Sequence, residues 1–141
     1  MKPKTLLLMT VLALGVLGIV TFYRRQTGPA RRDPAFYHTP EGVNLTIQEQ
    51  RTVLTDALRT NDLQFIHGQM YYVQGLADAL SAKLEGDKKQ RVDPKLIELK
   101  RIAEEVDNFS GRNNFEATQA GLQKLFDAFA ELDAEFKPAK K

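Results

Sequence analysis

His67 and Met70 stand three residues apart, a spacing that makes neighbours on one helix. An imidazole nitrogen and a thioether sulfur so placed form a ligand pair for haem iron or copper. The competing reading is packing. Met70 lies on an apolar seam, where methionine is ordinary gap filler, and His67 points about 60° away from it at about 100° per residue. The remaining inventory narrows the chemistry. The chain has no Cys, no Trp, and only His38 besides His67. That excludes thiolate catalysis, covalent haem attachment through a cysteine pair, and a multi-histidine metal site within one chain. Glu104, Glu105, Asp107, Glu131, Asp133 and Glu135 read as outer helix faces, since a di-iron bundle needs inward Glu-x-x-His motifs and none occurs. No nucleophile stands beside a base, and no glycine loop is built to cradle phosphate. The expectation is a protein that is not an enzyme and holds no cofactor.

A different set of residues points to protein contact. Gly68, Gly75, Ala79 and Ala82 form a small-residue stripe on the side of one helix opposite its apolar seam, with Tyr71 at its border. Each glycine inside a helix costs about 1 kcal/mol relative to alanine, so two of them call for a reason. Close approach of another helix, from a different subunit or a second copy, is one reason; an exposed face that tolerates glycine is the other. Aromatic residues are enriched at interfaces, which favours contact.

Four helices are needed to position these residues. The first is expected from Thr46, where Thr46-Ile-Gln-Glu49 has capping-box form, with Ile47, Leu54 and Leu58, flanked by Val53 and Ala57, as its apolar face. The second, about 62–85, carries Ile66, Met70, Val73, Ala77, Leu80 and Leu84 at spacings of 4, 3, 4, 3 and 4, a seam of period 3.5 widened by Phe65, Tyr72 and Leu76. Gly86 to Arg91 reads as a loop. The third starts at Asp93-Pro94, with Leu96, Leu99, Ile102, Ala103, Val106 and Phe109 inward, and stops at Ser110-Gly111. The fourth starts with Asn113 and Glu116 at capping-box spacing, and its seam is Phe115, Leu122, Leu125, Phe129, Leu132 and Phe136. Short linkers favour antiparallel neighbours. The fold class expected is all-α, one N-terminal transmembrane helix followed by an antiparallel four-helix bundle, with the bundle over 44–137 and a basic tail over 138–141.

The transmembrane expectation rests on Thr5 to Tyr23, nineteen residues without a charge. At 1.5 Å per residue they span roughly 28 Å, near the ~30 Å of a bilayer core. The run is longer than a signal-peptide core and ends in Ile19-Val20-Thr21-Phe22-Tyr23, a stretch with no small-x-small cleavage site before the arginines. Phe22 and Tyr23 suit the membrane interface, and Arg24 and Arg25 the headgroups. Residues 1–23 therefore read as an uncleaved anchor. The flanking charges are nearly balanced, with a slight lean toward a cytoplasmic bundle, but a short basic start is the usual form of an export signal. The bundle is placed on the periplasmic side of the inner membrane. Residues 24–43 contain three prolines and four arginines and read as a linker or arm, whose Phe36, Tyr37 and His38 offer contact chemistry. From Val43 to Lys141 there are 14 Lys plus Arg against 16 Asp plus Glu, a net of −2. A bundle so charged lacks the basic footprint of a nucleic-acid binder. Asn44-Leu-Thr46 and Asn108-Phe-Ser110 match the glycosylation pattern, which is short and frequent by chance.

Phe129-Ala-Glu-Leu132-Asp133-Ala-Glu-Phe136-Lys137 resembles the end of the last helix in the cytochrome c′ family, which closes on Cys-x-x-Cys-His-x-x-Phe-Lys/Arg. The Phe-Lys ending matches. Phe129 and Leu132 stand at the cysteine positions and Asp133 at the haem-ligating histidine, so no functional residue carries over. The resemblance implies a periplasmic four-helix bundle that keeps the scaffold without the haem, and it points to a respiratory or photosynthetic electron-transfer complex as partner. The leading expectation is an accessory or structural subunit of a larger membrane complex, in contact with the lipid bilayer and an integral-membrane protein, with a homodimer also weighed. The alternatives are a haem- or metal-binding bundle using His67 and Met70, and a membrane-tethered sensor.

Overall fold

The computed structural model describes residues 34–138. They form a 3₁₀ turn, Pro34–His38, and four α-helices: α1 (Pro40–Arg59), α2 (Leu63–Lys83), α3 (Gly86–Gly111) and α4 (Phe115–Ala134). The helices make a four-helix bundle, each packed on its two neighbours around a ring, with α2 against α3 the most extensive pairing and α1 against α4 the least. None of the helices among the described residues is long and apolar enough to cross a membrane. The expected anchor over 1–23, including Phe22 and Tyr23, and the headgroup residues Arg24 and Arg25 lie outside the described residues.

Local chemistry explains the helix starts and corrects two of them. α1 begins at Pro40, not Thr46. Thr39 is its cap, its Oγ1 accepting the Gly42 N–H at 3.0 Å, and Pro40 occupies the first turn, where a missing N–H is harmless. The Thr46 hydroxyl instead donates to the Gly42 carbonyl one turn back. The arm expected over 24–43 thus gives its last four residues to α1, where Gly42 and Val43 are buried. Gly42 is required there: a Cβ would collide with the Phe36 carbonyl, against which the 3₁₀ turn rests. Asn44, of the glycosylation pattern, is buried in α1.

α3 begins at Gly86, so the expected loop 86–91 is helical and Asp93-Pro94 lies inside the helix. Gly86 turns the chain with φ +55° after the extended Glu85. Proline at 94 removes one helical hydrogen bond, but the turns before it are held by contacts outside their own helix. Val92 is fully buried. Lys88 reaches Glu41 of α1 at 3.2 Å and lies 4.1 Å from the centre of the Phe136 ring, and Arg91 reaches Glu135 at 3.4 Å.

The turns α1–α2 and α3–α4 are built alike. Asn61 and Asn113 each adopt φ 55°, the left-handed conformation that asparagine tolerates. The following residue caps the next helix: Asp62 Oδ1 accepts the Phe65 N–H and Asn114 Oδ1 accepts the Ala117 N–H, both at 3.0 Å. The α4 cap is therefore Asn114 and not Asn113. The likeness continues into the helices at an offset of 52 residues. The α2 seam Ile66, Met70, Val73, Ala77, Leu80 and Leu84 corresponds to Thr118, Leu122, Leu125, Phe129, Leu132 and Phe136, and all but the half-buried Phe136 are buried.

The core joins these seams to Ile47 and Leu54 of α1 and Leu99, Ala103 and Val106 of α3, all fully buried. Four residues expected on the inner faces are not there. Val53, Phe65, Tyr72 and Phe115 are 37, 43, 48 and 38% exposed. Phe65 and Tyr72 each precede a seam residue, which turns them about 100° from the core axis.

Polar contacts fasten α1 to α4. Gln48 Nε2 donates to the Phe129 carbonyl at 2.9 Å, Arg51 Nη2 to the Phe126 carbonyl at 2.6 Å, and Asn44 Nδ2 to Asp133 Oδ1 at 3.0 Å. Asp133 also pairs with Lys137 at 2.8 Å. Lys137 holds the Asp133 carboxyl below its ordinary 3.8, partial burial opposes this, and Asn44 assists. A depressed carboxylate stabilises the fold above its unfolded pKa, and that contribution is lost as pH falls through the lower folded value. Asp133→Asn is expected to cost up to about 1 kcal/mol at neutral pH, as befits a pair that is partly solvated. Urea midpoints measured from pH 6 to pH 2 should show the variant and parent converging at the acid end; a gap independent of pH would contradict this role.

Candidate docking surface

From Leu63 to Ala77, α2 carries no acidic residue, lysine or arginine. Its seam turns inward, and its outer side is left to Phe65, Gly68, Tyr71, Tyr72 and Gly75, with Ala79 and Ala82 in the following turns. Tyr71 is 63% exposed. Around Gly68 and Gly75 a Cβ would meet no atom within 4 Å, so neither glycine is needed for packing inside the bundle. This contrasts with Gly121 of α4, where a Cβ would lie 2.8 Å from Val106 Cγ2 and the helices demand glycine. Ala79 is half-buried, and Ala82, Gly68 and Gly75 are exposed. The result is a shallow, uncharged channel with aromatic rings on both banks. At the Phe65 end it opens toward α1 into a groove lined by Val53, Asp56, Ala57, Thr60, Asp62 and Phe65.

His67 and Met70 are directed to different tasks. Met70 is fully buried in the core. His67 faces α3, its Nδ1 lying 2.7 Å from Asp107 Oδ1 and 3.3 Å from the Asp107 carbonyl. Asp107 Oδ1 is shut off from solvent and accepts no hydrogen bond, so the imidazole beside it is a close polar contact and not a hydrogen-bond donor to it. The imidazole edge meets the Tyr71 ring at 5.9 Å between centroids, and Gly111 packs on its other side, where a Cβ would be 3.2 Å from Nδ1. The imidazole therefore fixes a channel-bank tyrosine to the end of α3. Nothing in this arrangement presents the thioether and the ring nitrogen to one ion. Among the described residues no group of three His, Cys, Asp or Glu side chains comes together as a metal site.

Phe36 and Tyr37 do not join the α2 channel. The 3₁₀ turn that carries them packs on α1, at the end of the bundle where α1 starts and α2 finishes, and the two rings meet edge to face at 5.9 Å. Tyr37 is 41% exposed and Phe36 half-buried. Three carboxylates assigned to outer faces are partly withdrawn into cross-helix pairs: Asp107 with His67, Asp133 with Asn44, and Glu135 with Arg91 and Lys95. Phe129 and Leu132 are fully buried core residues. The residues that sequence reasoning missed are Val53, Phe65 and Tyr72. For Phe65 and Tyr72 the signal was present, since α2 is apolar on two sides and a bundle helix has one inner side.

No protein-family model, curated protein or solved structure matches this chain.

If His67 is a fastening residue, His67→Ala removes the ring's contacts with the Asp107 carbonyl and carboxylate and lowers stability by about 1 kcal/mol. Denaturant unfolding followed by circular dichroism checks this. An unchanged midpoint would remove the fastening role.

Proposed function

We propose that this chain is a non-enzymatic, membrane-anchored helical-bundle protein, an accessory subunit of a larger membrane complex, with its bundle on the periplasmic side. The observation that carries the reading is the exposed α2 channel, in which Phe65, Tyr71 and Tyr72 stand in solvent around two glycines with open space above them. Large apolar side chains grouped on an uncharged surface mark contact sites. Helical glycine that serves no internal packing has its cost offset when another backbone comes close.

The uncharged run from Thr5 to Tyr23, followed by Arg24 and Arg25, supports the anchor. An anchor confines the bundle and its partner to one membrane, which raises their effective concentration and lets a modest surface suffice. The likeness of the last helix to cytochrome c′ supports an electron-transfer complex as the partner. The pairing of His67 with Asp107 and the burial of Met70 favour docking over haem or metal binding.

Native membranes solubilised in mild detergent and run on a sizing column test the proposal. The tagged chain should elute in a large particle with partners in fixed ratio, identified by mass spectrometry; elution alone would overturn the subunit reading. Gly75→Leu should keep its helix content, since a Cβ added there meets no atom within 4 Å. It should reduce co-elution at least about tenfold, equivalent to ~1.4 kcal/mol of binding. Unchanged co-elution would remove α2 from the contact.

A further inference from the structure

Phe65, Gly68, Tyr72, Gly75, Ala79 and Ala82 follow one another at 3, 4, 3, 4 and 3 residues, a second period of 3.5 outside the bundle. We infer that this stripe is a coiled-coil-like seam whose occupant is a second copy of the same chain, packed α2 on α2. The inference rests on the docking role proposed above and identifies the partner.

Three features select a second copy. The first is spacing. A repeat of 3.5 keeps one stripe facing a neighbouring helix along its length, so the stripe fits a helix lying alongside it. Gly68, Gly75 and Ala82 recur every seventh residue and let the backbones approach closely.

The second is self-complementarity. A two-fold interface sets a patch against itself, so the patch must contain both the projections and the hollows that receive them. Phe65 and Tyr72 project, and each is followed three residues later by a glycine with no atom above it. A single α2 thus carries rings and recesses in alternation, and two copies can exchange them.

The third is charge. In a self-contact every charge near the axis meets its own kind, which is destabilising, whereas a partner of different sequence can supply the opposite sign. The stripe carries no charge over its whole length. The equivalent α4 positions, 52 residues on, are Ala117, Ala120, Lys124, Asp127, Glu131 and Ala134, so the bundle itself places no such restriction there. Paired through α2, two copies form the unit that joins the larger complex, so a variant that separates the copies also lowers co-elution.

Because the chain has no cysteine, one engineered thiol reports its neighbour. Gly75→Cys stands near the middle of the stripe, where a side chain has room. Asp127→Cys is the exposed equivalent on α4. Each is introduced into the full chain in native membranes and treated with a mild oxidant or a short thiol-to-thiol cross-linker. Gly75→Cys should give a product of twice the chain's mass containing only this chain, at least about tenfold more than Asp127→Cys gives, and Tyr72→Asp in the same background should abolish it. Gly68→Cys repeats the measurement at a second open position. Cross-linking of Gly75→Cys to a different protein would overturn the second copy while leaving the docking role intact. No cross-link to any chain, from a variant of unchanged helix content, would overturn both. Equal yields at positions 75 and 127 would overturn the self-contact.

Discussion

A helix in a four-helix bundle can bury only the side that faces its two neighbours and the central core, and α2 has more apolar surface than that. Its seam from Ile66 to Leu84 is buried, and the core depends on it, because α2 packs more extensively on α3 than any other pair of helices packs together. Once the seam is committed, geometry places Phe65, Tyr71 and Tyr72 outside. A surface helix ordinarily resolves this by making its outer face polar and charged. α1, α3 and α4 do so, with Arg59 and Asp56, the Glu98–Arg101–Glu105 series, and Gln123 and Asp127. α2 does not over its first four turns. The exposed apolar face of α2 is thus a consequence of the fold and not an addition to it.

The α2 and α4 seams were legible because period 3.5 has a single structural meaning at that length, and every α2 seam residue is buried. The small-residue stripe was legible for the same reason and lies where the spacing put it. Helix starts were less so. Thr46-Ile-Gln-Glu49 is a sound capping box on paper, but Thr39 caps the Gly42 N–H earlier, with the 3₁₀ turn closing over it, which leaves residues 46–49 inside the helix. The charged run 88–91 reads as a loop by composition and is helical because Glu41, Phe136 and Glu135, distant in sequence, receive its side chains. Composition records the cost of a charge and not the partner waiting for it. His67 was ambiguous for a like reason: its role is fixed by Asp107, forty residues away.

The turns show how little sequence identity the architecture requires. Thr60-Asn61-Asp62 and Arg112-Asn113-Asn114 share one asparagine and one backbone course. The left-handed residue reverses the chain and the next side chain caps the following helix. Thereafter large residues exchange across the offset of 52 without disturbing the pattern: Ala77 against Phe129, Met70 against Leu122. Thr118 at the Ile66 position is tolerated although fully buried, because its hydroxyl donates to the Asn114 carbonyl at 2.7 Å. Packing fixes where apolar volume goes, and leaves its distribution between the hairpins free.

That freedom makes the outer faces informative. Residues that hold the bundle together are constrained on both hairpins, but the outward stripes, in which Ala79 touches the core, differ at five of six positions. On α4 the stripe includes lysine, aspartate and glutamate, which keep a surface solvated. On α2 it offers two aromatics, two glycines and two alanines. Were the α2 stripe merely solvent-facing, its glycines would cost about 1 kcal/mol each with nothing to offset them, and its rings would stand exposed beside them. A close helical neighbour accounts for both at once, since the glycines admit its backbone and the rings cover its sides. The same surface that the bundle fails to bury is therefore the one best shaped to be buried by something else.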